Sequence, residues 1–177
     1  SELDKVVEES KRLLEEWDRR SKDVAKKVKE MLDRSRKASK EVVKEARDEL
    51  ERLKRETGDV EEVREMEKRI EKIVREDEEL NKDSVRRAEE IVRENEELNK
   101  EVKKRSKDLV DEARKVTDEK DIREIKERLK RLNETLAELN ERSKKRLKRL
   151  LDEDKKLNDD SSKELKELLK ELEDRTR

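Results

Sequence analysis

The sequence predicts an all-α fold, an antiparallel three-helix bundle of long, nearly straight helices. Three observations carry that expectation. Of 177 residues, 60% are charged and 28% hydrophobic, with one Gly and no Pro, a profile near that of coiled coils and long helices and far from that of sheets. Apolar residues recur at intervals of eighteen within each third of the chain. Only two places interrupt the helical pattern.

The first helix is expected over about 2–56. Its frame is Val6, Val24 and Val42, with Leu14, Leu32 and Leu50 and with Val7, Ala25 and Val43. Ser1 with Asp4 suits its N-terminal cap. The helix stops in "RETGDVEE", the site of the only Gly. Gly58 fits the left-handed position after a helix, and Asp59 with Glu62 reads as a cap and its reciprocal partner.

The second helix comes next, over about 60–116, framed by Ile73, Ile91 and Leu109 and by Val74, Val92 and Val110. It ends in "ARKVTDEKDIREI", where Thr117 or Asp118 is placed to cap the third helix. That third helix is expected over about 119–175, on Leu129, Leu147 and Leu165 and on Leu132, Leu150 and Leu168. Eighteen residues are five turns at 3.6 per turn, which suits a helix with little supercoil. Short connections make neighbours antiparallel, so residues 1–177 are expected to form a single bundle.

Polar residues fall inside these apolar stripes. At about 100° per residue, Ser10, Ser21, Ser35 and Ser39 lie within the first. Asp77 and Asn95 lie near the centre of the second, with Ser84 and Ser106 close by and Asn81 and Asn99 on its flank. Asn140, Ser143, Asp154, Asn158 and Ser161 fall among the leucines of the third, with Asn133 at an edge. In an antiparallel fold, residues at one height have numbers summing to about 116 between the first two helices and about 236 between the last two. That rule sets Ser21 level with Asn95, Asn140 and Ser143. It sets Ser35 and Ser39 level with Asp77, Asn81, Asn158 and Ser161, and Ser10 with Ser106 and Asn133. Buried polar layers of this kind penalise slipped registers, because an unpaired buried amide or hydroxyl costs about 1–3 kcal/mol.

Two phrases sharpen the point: "IVREDEELNK" from Ile73 and "IVRENEELNK" from Ile91 differ in one residue, Asp77 against Asn95. An Asp in a neutral layer needs a cationic or hydroxyl neighbour, or access to water.

Chemistry is sparse. The chain has no His and no Cys, which removes the usual metal ligands and the neutral-pH general base. The inward pair Asp77 and Asp154 lacks the Glu-x-x-His partners of carboxylate metal bundles and the cleft a glycosidase needs. The serines have no base and no Gly-rich elbow. No catalytic residue, metal or cofactor is expected. Trp17, the only aromatic residue, reads as packed core, with an anchor for a partner as the alternative.

Lys plus Arg number 53 against 54 Asp plus Glu, interspersed, so nucleic acid finds no basic face. Opposite charges three or four apart, as Glu15 and Arg19, describe a solvated surface. No apolar run approaches a membrane span and the N-terminal residues are unlike a signal peptide, so a soluble, unprocessed chain is expected, compatible with recombinant cytoplasmic expression. No natural compartment is legible. The apolar positions match what one three-helix core consumes, with no second stripe, so no partner is required. A groove accepting a partner helix, or self-association, is the alternative.

The eighteen-residue repetition, "LNKEVKKRSKDLV" and "LNERSKKRLKRLL" with Asn and Ser among leucines, the near-uniform Lys, Glu and Arg surface, the lone Trp and the "TD" turn before "EKDIREI" resemble de novo designed helical bundles with buried hydrogen-bond networks. In style they are similar to designed cage scaffolds, in which a latch helix is displaced by a key helix. Natural spectrin-type spacers share the three-helix plan. The designed resemblance implies a monomeric scaffold without natural biochemical activity.

Overall fold

The structure is a computed structural model that describes residues 2–58 and 60–176, with all their side chains but that of Thr176. Three helices pack as a bundle: α1 (Glu2–Thr57), α2 (Glu61–Lys115) and α3 (Glu119–Thr176). No strand occurs among the described residues. Lys, Glu, Arg and Leu, all good helix formers, fill most positions, and each helix places acidic residues in its first turn and basic residues in its last, which complements the helix dipole.

The turns are chemically explicit. Gly58 has φ 79° and its N–H donates to the Lys54 carbonyl at 2.9 Å, closing α1 through the conformation that a Cβ penalises. Thr57 adds a hydroxyl bond to the Leu53 carbonyl at 2.6 Å. At the start of α2 the carbonyl of Val60 accepts from Val63 and Arg64. The caps expected at Ser1 and Asp59 lie outside the described residues. Of the two candidates before α3, Asp118 takes the cap: its carboxylate accepts from the Lys120 N–H at 3.2 Å and its carbonyl from the Ile122 N–H at 3.1 Å.

The chain forms two compact units, each drawing on all three helices. One comprises Ser1–Lys27 and Ala88–Lys148, the other Val28–Arg87 and Arg149–Arg177. In the first, Val7, Val110, Ala113, Ile125 and Leu129 form an apolar cluster with Leu3, Val6, Leu109 and Val116 against it. In the second, Leu50, Leu53, Val63, Met66, Ile70, Ile73, Val74, Leu165, Leu168 and Leu172 pack together. Leu129, Leu172 and Ile70 are fully enclosed, each worth about 1.5–3 kcal/mol in burial.

Not every apolar residue is consumed. Met31, Val60, Leu80, Leu98 and Leu157 are exposed, and Leu80 and Leu98 occupy equivalent places in the two copies of the repeated phrase. The expectation of a fully used apolar stripe is corrected on this point. These leucines lie about 100° from Asn81 and Asn99, one residue on, which puts them on the flank of the stripe rather than over it. The surface ion pairs also differ in detail: the pair at this part of α1 is Glu16 with Arg20, at 2.6 Å, one residue on from Glu15 and Arg19.

Candidate functional site

The polar residues inside the stripes are the only concentrated chemistry among the described residues. In the Ser1–Lys27 and Ala88–Lys148 unit they form two layers. Ser10 Oγ lies 3.2 Å from Ser106 Oγ and donates to Asn133 Oδ1 at 3.4 Å. Ser10 and Ser106 are buried, Asn133 half-buried. Rising residue numbers on α1 meet falling numbers on α2, since Ser10 pairs with Ser106 and Ser21 with Asn95 and Asn99; the two helices are antiparallel.

The second layer centres on Asn140, which is 7% exposed. Its Oδ1 accepts from Ser21 Oγ at 2.5 Å, Asn95 Nδ2 at 3.0 Å and Asn99 Nδ2 at 3.3 Å. Its Nδ2 donates to Asn99 Oδ1 at 3.1 Å and to the Leu136 carbonyl at 2.8 Å. Asn95 and Asn99 also donate to Ser21 Oγ, each at 3.3 Å, and Ser143 Oγ donates to Asn95 Oδ1 at 3.0 Å. Eight hydrogen bonds join these five side chains, seven among themselves and one to the Leu136 carbonyl. Such closure makes buried polarity tolerable and a shifted register costly.

The other unit holds the Asp-containing layers. Ser39 Oγ donates to Asp77 Oδ2, and Asn81 Nδ2 donates to the same oxygen at 3.2 Å. The hydroxyl neighbour foreseen for Asp77 is Ser39. Asn158 Nδ2 donates to Ser35 Oγ at 2.5 Å and to Asp154 Oδ2 at 3.2 Å. Asp77 and Asp154 are 4% and 3% exposed. Ser84 is buried and Ser161 half-buried, and neither joins these bonds. Asp77 Oδ1 is the one buried side-chain N or O atom, among the described residues, that has no hydrogen-bond partner.

Two expectations about this region change. Trp17 is half-buried rather than part of the core, with the Arg20 guanidinium over its ring at 5.2 Å. Nor is the bundle without a hollow: a cavity of about 290 Å³ opens beside the Asn140 layer, with Trp17 in its wall. Both arise from packing a large indole near small Ser and Val side chains, a detail of volume that helical periodicity does not encode.

No cluster of three or more potential metal-ligating side chains occurs among the described residues, and no described helix is long and apolar enough to cross a membrane. Side chains drawn from all three helices and tied by buried amide and hydroxyl bonds define a helical bundle with internal polar layers. Comparison with protein-family models, curated proteins and solved structures finds no match to the chain.

Proposed function

We propose that the chain is a de novo designed structural scaffold: its role is to fold in one register as a monomer, and it carries no enzymatic activity. The observation that supports this most directly is the Asn140 layer, in which five side chains from three helices make eight hydrogen bonds. The layer selects an alignment of helices and exposes no reactive group. The strict eighteen-residue frame and the near-absence of Gly and aromatic residues accord with the same reading. Sedimentation equilibrium at high concentration should return the monomer mass of 21.4 kDa, and backbone NMR should give a single set of signals. Mixed registers or concentration-dependent mass would overturn the reading.

A second reading, a module that accepts a partner helix or a second copy, is favoured by the exposed Leu80, Leu98, Leu157 and Met31. Each is an apolar side chain that the apolar face of an amphipathic helix would cover on docking. Titration with amphipathic helical peptides, monitored by calorimetry, distinguishes the readings: a saturable 1:1 complex supports the module.

A further inference from the structure

We propose that the cavity beside the Asn140 layer is a binding site for one small, uncharged bicyclic aromatic molecule carrying a single N–H or O–H donor. The site lies wholly within the Ser1–Lys27 and Ala88–Lys148 unit. Its volume of about 290 Å³ is close to the smallest ligand pockets, roughly 300 Å³, and exceeds the roughly 150 Å³ in which an apolar cavity holds benzene.

The walls are apolar: Trp17, Val24, Val92 and Leu147 line it, and Asn95 and Ser143 supply a polar floor. Trp17 offers an aromatic surface for stacking. The floor determines what the ligand must carry. Asn95 Nδ2 donates to Ser21 Oγ and Asn140 Oδ1, and the Ser143 hydroxyl donates to Asn95 Oδ1. The floor's hydrogens are engaged within the layer, and the other donors of the lining, Trp17, Arg20 and Lys144, stand in the walls. Lone pairs are left, because an amide oxygen and a hydroxyl oxygen each accept two bonds; Asn95 Oδ1 accepts one here and Ser143 Oγ none. A bound molecule that donates gains a partner at the floor, whereas one that only accepts meets oxygen against oxygen there.

Charge points the same way. Glu96 and Glu141 stand at the lining with Lys144 and Arg20, but Arg20 is engaged by Glu16 at 2.6 Å. Including Glu16, the local charge is one negative unit in excess, which disfavours aromatic carboxylates and sulfonates.

The test titrates the full chain with 2-naphthol and, separately, with 2-methoxynaphthalene, which has nearly the same shape without the donor. Binding is read by calorimetry and by nuclear Overhauser effects between the naphthalene protons and the Trp17 indole, unambiguous because Trp17 is the only aromatic residue. The expected result is saturable 1:1 binding of 2-naphthol with contacts to Trp17, and affinity for the methyl ether lower by about tenfold, the value of one neutral hydrogen bond. V92F, which fills the hollow, should abolish binding while leaving the circular dichroism unchanged. If V92F does not fold, the wild-type contacts and the naphthol-to-ether ratio decide alone. Absence of saturation, contacts away from Trp17, equal affinity for the two compounds, or undiminished binding to folded V92F would each overturn the proposal.

Discussion

Asn95 and Asp77 occupy the same place in two copies of one phrase, yet their surroundings differ. Asn95 donates twice and accepts once, within a layer whose five side chains are all bonded to one another. Asp77 receives both its bonds on one oxygen, from Ser39 and Asn81, and its other oxygen faces no donor. An amide can give and take, so it can sit between an amide oxygen and a hydroxyl. A carboxylate only takes, and the second helix supplies only Asn81 to answer it. Burial magnifies the difference, because a polar atom withdrawn from bulk water without a partner keeps its desolvation cost. A shared frame thus fixes height and facing, while one atom's change from nitrogen to oxygen decides whether the layer closes.

The largest predicted effect comes from writing the second phrase like the first. N95D turns two donations, to Ser21 and Asn140, into a carboxylate facing the Asn140 oxygen, and is expected to destabilise the fold by about 3 kcal/mol. Urea denaturation at pH 7 measures it. A loss below about 0.5 kcal/mol would show that the Asn140 layer is more yielding than its bonds imply.

The reciprocal change is smaller and opposite in sign. D77N keeps an acceptor toward Ser39 and Asn81 and removes a buried charge that has no cationic partner among the described residues, so stability should rise by about 1 kcal/mol. A fall of that size under the same denaturation would mean that the charge-assisted bonds from Ser39 and Asn81 outweigh the desolvation of the carboxylate.

How far these differences were legible depends on what helical spacing encodes. The eighteen-residue frame gives three helices, and Gly58 and Asp118 mark both turns by their own chemistry. Summing residue numbers places Ser21 level with Asn95 and Asn140, and these three side chains are bonded together. The orphaned oxygen of Asp77 was not legible. It depends on which rotamer faces which neighbour at sub-ångström scale, and the spacing of Asp77 is identical to that of Asn95. The half-exposure of Trp17 and its cavity were hidden for a related reason, since angular position sets direction but not the volume that opposite side chains fill. Leu80 and Leu98 sat at the margin of the stripe, where a few degrees decide between core and solvent.

Those two leucines allow a third comparison, because each form of the phrase carries one. L80Q and L98Q, tested separately, should each change stability by no more than about 0.5 kcal/mol, as exposed substitutions do. Equal, small effects by denaturation locate the contrast between the units in Asp77 and Asn95 alone. A large loss from one leucine would move part of the contrast to the flank of the stripe.

The smallest effect concerns surface charge and separates the units by pH. In the unit containing Asp77, Arg52 reaches Glu49, Glu56 at 2.9 Å and Glu173 at 3.5 Å. Its hydrogen bond holds the Glu49 carboxyl below the usual range, and the bonds to Glu49 and Glu56 raise the Arg52 guanidinium above its own. In the unit containing Asn95, Lys126 bonds Glu2 at 2.9 Å and lowers the Glu2 carboxyl likewise. A carboxyl that is lowered on folding contributes stability above its unfolded pKa and loses it as pH falls through the folded one. All these groups are solvent-screened, so each contribution is slight. R52Q should therefore lower the thermal midpoint slightly at pH 7, with the difference from wild type vanishing as the medium is acidified through the carboxylate range. K126Q should behave the same way with a still smaller amplitude, since it removes one ion pair and not a cluster. Thermal melts by circular dichroism at stepped pH test both. A deficit in R52Q that persists undiminished at the acid end would assign Arg52 a packing role along its aliphatic stem.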